Sequence, residues 1–152
     1  MLQIKEDTSI FDLDCNVLVN PVNCVGVMGK GLALQFKIRF PKNYIAYREH
    51  CFTDKMKLGK VFVFKENGKT IINFPTKGHW RRPSKIEYIE RGLEDMLQYL
   101  NKGDCIGMPL IGCGEGKLNT VEVVPLLERY LQPHSSTTYL CMSSRNTIHL
   151  LL

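Results

Sequence analysis

The stretch Asn20-Pro21-Val22-Asn23-Cys24-Val25-Gly26-Val27-Met28-Gly29-Lys30-Gly31 constrains the fold more than any other. It follows the apolar run Val17-Leu18-Val19 and passes into a pattern with apolar residues at Leu32, Phe36 and Phe40. That order predicts a buried strand, a glycine loop and the N-terminus of a helix. Unpaired N–H groups and the positive end of the helix dipole point into such a loop, and glycines let the backbone approach a ligand closely. The expectation is an anion site, phosphate foremost. An ordinary strand-to-helix turn is the plainer reading, but three glycines within residues 26–31 and two asparagines at the strand end favour a ligand. The loop alone names none.

The rest of the chain predicts an α/β domain around that loop. Leu2 to Lys5 reads as a short first strand with Asp7 in the turn after it, and Cys15 to Asn20 as a buried strand. The helix after Gly31 stops at Pro41, and a second runs from about Lys42 to Cys51. Leu58 to Phe64 and Thr70 to Phe74 flank Asn67-Gly68, a hairpin signal. Pro75 is expected to end the second of these strands, leaving Thr76 and Lys77 on a loop. Ser84 and Glu87 have capping-box spacing ahead of Ile86, Ile89, Leu93, Met96, Leu97 and Leu100, and Gly103 is expected to close that helix. Cys105 to Pro109 is another short strand, followed by a second glycine loop, Leu110-Ile111-Gly112-Cys113-Gly114-Glu115-Gly116-Lys117. Asn119 can cap the next helix, with Pro125 tolerated near its first turn, and Thr137 to Met142 is a last strand. The order β, β, α, α, β, β, α, β, α, β implies a mixed sheet covered by helices on both faces, in one domain over residues 1–152. Two glycine loops at the carboxyl edge of such a sheet suit a diphosphate better than a single phosphate.

Composition excludes several classes. No apolar run approaches a membrane span and the N-terminus lacks a signal-peptide core, so a cytoplasmic location with no membrane partner is expected. The six cysteines include no Cys-x-x-Cys pair and the four histidines are dispersed; no metal, cofactor or disulfide framework is expected. Gly29-Lys30 is followed by Gly31 rather than the Ser or Thr of a P-loop, and Gly112-x-Gly114-x-Gly116 lacks dinucleotide-fingerprint spacing. Cys113 has no histidine placed to activate it and reads as a packing residue. The formal charge of +5 is partly concentrated in Lys77-Gly78-His79-Trp80-Arg81-Arg82-Pro83-Ser84-Lys85, where His79, Trp80, Arg81 and Arg82 are candidates to attract phosphates and stack a base, the DNA-contact residues if the partner is a nucleic acid; a solvated loop is the plain alternative.

Val19-Asn20-Pro21-Val22-Asn23 and Ile111-Gly112-Cys113-Gly114 resemble the signature and the second phosphate loop of macrodomains, the ADP-ribose-binding fold. The run from Asn23 to Lys37, Phe40-Pro41-x-x-Tyr44, Asn73-Phe74-Pro75-Thr76-Lys77-x-x-Trp80-Arg81 and Ile89 to Asp95 resemble the DarG-type DNA ADP-ribosyl glycohydrolases. Those antitoxins remove ADP-ribose from thymidine in DNA modified by DarT toxins, and they group with the human terminal ADP-ribose protein glycohydrolase. The resemblance implies a three-layer α-β-α macrodomain with a mixed central sheet. It implies ADP-ribose binding by Asp7 at the adenine, by Asn20 and Asn23 near the distal ribose, and by Thr76. Val25, Gly26, Val27, Met28, Gly29, Lys30, Gly31, Gly112, Cys113, Gly114, Glu115 and Gly116 would form the diphosphate cradle. It implies Lys77 as the catalytic lysine, a monomer, and ADP-ribosylated single-stranded DNA and a DarT-type toxin as partners. The second loop departs from the human relative, which has an assisting aspartate where Gly116 stands, and Asn119-Thr120 replaces the usual Asp-Trp. A non-catalytic ADP-ribose reader, or a hydrolase of ADP-ribosyl glutamate or O-acyl ADP-ribose, are the alternatives.

Overall fold

The computed structural model describes residues 1–114 and 116–151. Strands β1 (Leu2–Glu6), β2 (Val17–Asn23), β3 (Phe62–Glu66), β4 (Lys69–Lys77), β5 (Cys105–Pro109) and β6 (Thr137–Met142) form one sheet in the order β1-β6-β5-β2-β4-β3. Every pairing is parallel except β3 with β4. The helices are α1 (Gly31–Arg39), α2 (Pro41–Phe52), α3 (Ile86–Leu97), α4 (Thr120–Leu131) and α5 (Ser144–Leu151).

Alternation along the strands sorts the core into two layers. Val17, Val19, Ile72, Phe74, Ile106, Met108 and Leu140 face Ile89, Leu93 and Met96 of α3 and Val123, Leu127 and Leu131 of α4. Leu18 and Ile71 point the other way, against Phe36 of α1, Phe40, and Ile10 of the 3-10 turn Ile10–Asp12. Val22 joins Met28, Tyr47 and Met56 in a smaller cluster beneath α2. Gly92 permits the close seat of α3 on the sheet: a Cβ there would lie 2.3 Å from Phe74 Cζ. The mixed sheet with helices on both faces is the architecture expected.

Several boundaries differ from expectation. β2 runs to Asn23 and β4 to Lys77, so Asn20, Asn23, Thr76 and Lys77 all belong to strands. Pro75 does not end β4. β3 pairs with β4 only as far as Phe62 opposite Asn73, and the β2 register slips between Val22 and Asn23, so the missing N–H falls where the ladder is already incomplete. β3 itself starts at Phe62, four residues later than the apolar run suggests. Lys85, not Ser84, is the N-cap residue of α3 and makes no side-chain cap; the helix ends at Leu97, ahead of Gly103. Pro125 lies inside α4, a turn beyond the Asn119 cap.

Candidate functional site

In a parallel sheet every carboxyl strand end lies on one edge, and here that edge gathers the glycine loops. β2 lies between β5 and β4, so the loop after Asn23, the loop after Pro109 and the turn after Lys77 are neighbours. Asp7, just past β1, lies on the same edge, four strand spacings or about 19 Å from the end of β4.

Asn23 shapes the first loop. Its Oδ1 accepts from Val25 N at 3.1 Å and Val27 N at 3.4 Å, and its Nδ2 donates to Val27 O at 2.9 Å. The buried Tyr47 hydroxyl sits 2.8 Å from Asn23 O and 2.9 Å from Oδ1. Burial first, then the nearby Cys51 thiol, holds that phenol far above its ordinary range, so it remains a proton donor. Met28 carries its thioether into the core, where it is 2% exposed, which leaves only its backbone on the loop. Lys30 is the N-cap residue of α1 and supplies no side-chain cap bond, and the helix N-terminus adjoins the loop, the arrangement in which backbone amides can meet an anion.

The second loop is tied down differently. Leu118 N donates to Gly112 O at 2.8 Å and Lys117 N to Gly114 O at 3.1 Å. Ser84 joins this loop to β4: its N–H donates to Gly116 O at 2.9 Å and its hydroxyl to Thr76 O. Gly116 is confined, since a Cβ would lie 2.5 Å from Gly112 O and 2.9 Å from Ser84 Cβ; at Gly114 a Cβ meets nothing within 4 Å. Burial pushes the Cys113 thiol up, against a smaller opposing effect of the Thr120 hydroxyl, which suits packing rather than nucleophilic attack. Glu115 lies outside the described residues.

Lys77 ends β4 in register with Asn23, and Cys24 N donates to Gly78 O at 3.1 Å, so the lysine stands beside the first loop. Its ammonium donates to Trp80 O at 3.1 Å. The following turn is closed by Arg82 N on His79 O, with Arg81 N donating to His79 Nδ1. His79 stacks on Trp80 at 5.1 Å, and the Arg81 guanidinium covers the Trp80 ring at 4.5 Å. Asp7 has φ +49°, and its Oδ1 accepts from Ser144 N at 3.0 Å at the start of α5.

Asn20 is not on the cleft surface: it is 0% exposed, with Nδ2 donating to Asn73 Oδ1 at 3.3 Å. Asn73 in turn exchanges bonds with Asn43 (2.8 and 3.2 Å) and donates to Phe62 O at 3.1 Å. Glu66 accepts from Asn43 N at 2.7 Å and Lys42 N at 3.4 Å, closing the N-terminus of α2 from another element. The sequence reading missed Ser84 as a tie, Tyr47, and this amide ladder; the one available signal was polar Asn73 inside the apolar run Ile71-Ile72-Asn73-Phe74. Among the described residues no cluster of three His, Cys, Asp or Glu side chains is placed to hold a metal ion, and no helix is long and apolar enough to cross a membrane.

Sheet order, paired glycine loops and the lysine at their side define a class: the chain belongs to the Macro domain family, whose family model matches residues 19–127. Within it, the chain is 46% identical over 116 residues to the DNA ADP-ribosyl glycohydrolase of Mycobacterium tuberculosis, covering 72% of this chain and 33% of that protein. The macrodomain of Thermus aquaticus DarG superposes with a TM-score of 0.86 at 36% identity, covering 93% of this chain and 98% of that one. Thermosipho africanus DarTG in complex with ADP-ribose gives 0.80 at 33% identity, over 91% of this chain and 41% of that one. The chain thus spans about a third of the length of the DNA ADP-ribosyl glycohydrolases it matches.

Proposed function

We propose that the chain is a DNA ADP-ribosyl glycohydrolase that releases ADP-ribose from thymidine in single-stranded DNA, reversing a DarT-type modification. The observation that carries this reading is Lys77, held at the end of β4 in register with Asn23, at the flank of the N-terminus of α1 and a second glycine loop. Extended ADP-ribose fits the order of features along the edge. The adenine would lie toward Asp7 and the diphosphate over the amides of residues 25–31, 112–114 and 116, which brings the distal ribose to Lys77. The DNA ADP-ribosyl glycohydrolase named above and the ADP-ribose in the Thermosipho complex support the same substrate.

In the reaction, Lys77 Nζ attacks the anomeric carbon of the distal ribose as the free amine. The new N–C bond forms as the glycosidic bond breaks, its electron pair leaves with the base, and the proton given up by the amine returns to that base. The sugar adduct opens to a Schiff base; water adds to it, expels the lysine and releases ADP-ribose. The chain acts as a monomer, and a DarT-type toxin is the partner whose product it consumes.

The test is an oligonucleotide carrying ADP-ribosylated thymidine, with free ADP-ribose measured for wild type and Lys77→Ala. Wild type releases ADP-ribose; Lys77→Ala loses at least about a hundredfold in rate, on the order of 3 kcal/mol of transition-state stabilisation, while retaining ADP-ribose binding. Unchanged turnover in Lys77→Ala would remove the lysine from the chemistry. Release from ADP-ribosyl glutamate or O-acyl ADP-ribose but not from thymidine would move the substrate to proteins or acyl esters.

A further inference from the structure

We infer that single-stranded DNA runs past the reacting nucleotide, across the rim of the first glycine loop, to a second stacking platform made by Phe52 and Arg48 at the end of α2. The inference rests on the DNA reading above and adds a path for the flanking strand.

Charge is the first observation. Residues 30–85 hold 14 of the 20 Lys and Arg but only 3 of the 15 Asp and Glu, so the balance there is +11 and across the remainder −6. That segment is α1, α2, β3, β4 and the turn after Lys77, the side of the molecule that flanks the first loop. A polyanion is drawn to this half and repelled by the other.

Two aromatic–arginine pairs on that half are the second observation. Trp80 is 45% exposed with Arg81 over its ring at 4.5 Å; Phe52 is 67% exposed with Arg48 over its ring at 5.0 Å. Phe52 has no share in the core, since α2 buries Asn43 and Tyr47 instead. The first loop joins the pairs. Cys24 bonds to Gly78 beside the Trp80 turn, and the Cβ direction of Gly26 points at Arg48 Cγ (3.4 Å) and Phe52 Cε1 (3.7 Å). Val25, 38% exposed, lies on the rim between them. A ring for a base face beside a guanidinium for a phosphate, repeated along one basic track, is how proteins hold single strands without reading sequence. Paired bases in a duplex would not offer their faces to either ring.

The experiment compares two substrates, ADP-ribosylated thymidine nucleoside and the same nucleoside within a single-stranded oligonucleotide extended on both sides. Phe52→Leu and Arg48→Ala are expected to lose roughly tenfold in kcat/KM on the oligonucleotide and to match wild type on the nucleoside, with unchanged thermal unfolding. Phe52→Tyr, which keeps a ring, should behave as wild type on both. Equal rates for wild type and Phe52→Leu on the oligonucleotide overturn the path, and equal losses on both substrates overturn it too, because the residues would then act on the loop. Binding of an unmodified oligothymidylate, read by fluorescence anisotropy, is independent of catalysis. If wild type cleaves neither substrate, the proposed reaction fails, and the path stands only if Phe52→Leu weakens that binding about tenfold. Arg48→Ala should also flatten the dependence of log affinity on log salt by about 0.7.

Discussion

Asn73 is the side chain on which most of the buried polar structure converges. Its four bonds reach Asn20, Asn43 twice, and the Phe62 carbonyl, the first three fully buried and the last partly so. Asn73→Ala strands the amides of Asn20 and Asn43, and a loss of about 2–3 kcal/mol is expected in urea unfolding. A loss under about 0.5 kcal/mol would show that the ladder is not acting as a unit. A second side chain sets a pH dependence. His50 lies flat on Phe62 at 4.2 Å, and burial, then the charge of Lys55, holds its pKa below the ordinary value. As pH falls through about 6.5 the unfolded chain takes up a proton that the folded chain still refuses. Stability therefore declines with falling pH from there down to the lowered folded value. Thermal unfolding of wild type and His50→Phe between about pH 7 and pH 5 checks this: the variant should lose less on acidification. The two glycine loops are legible in the chain because turn chemistry is local, whereas Lys77 stands out only through the family resemblance. Asn73 is not legible, because its partners lie 30 and 53 positions away, and nothing in an apolar strand announces which polar groups it will meet.

At the scale of elements, the order of strands and helices followed from hydrophobic periodicity and turn residues; the ends of the elements did not. The reading stopped β4 at Pro75 because proline cannot donate to a ladder. The strand continues because β3 has already ended alongside it, a fact about a neighbour rather than about the strand itself. Ser84 has the spacing of a cap by the same local logic, yet its hydroxyl goes to Thr76 and its amide to Gly116, holding the second loop against β4. Gly116→Ala drives a methyl into Gly112 O and Ser84, and should weaken ADP-ribose binding in calorimetry at least tenfold, whereas Gly103→Ala, remote from the loop, should leave it unchanged. Helix α2 has no capping side chain of its own and takes Glu66 from β3 in its place. Glu66→Gln removes the charge facing that helix N-terminus and should cost about 1 kcal/mol in urea unfolding.

For the whole molecule, the two halves of the chain contribute unequally to the candidate edge. Residues 20–31 and 77 come from the basic, α1–α2 side, while Asp7 and residues 112–114 and 116 come from across β5, β6 and β1. The α/β class and the two loops could be read from the chain alone, but not their spacing across the sheet, which depends on β2 inserting between β5 and β4. No short fragment assembles the edge, because β6, the last strand in the chain, sits between β1 and β5. A ligand that reaches from β1 to β4 consequently binds only when nearly every strand is paired, and its free energy is added to the cooperative unfolding of the sheet rather than to one loop. At a hundredfold excess over Kd that linkage is about 2.7 kcal/mol. ADP-ribose should raise the midpoint of every spectroscopic probe together, tryptophan fluorescence of Trp80 and far-UV dichroism alike; separate midpoints in its presence would mean that the small molecule grips one side of the sheet and leaves the other to melt alone.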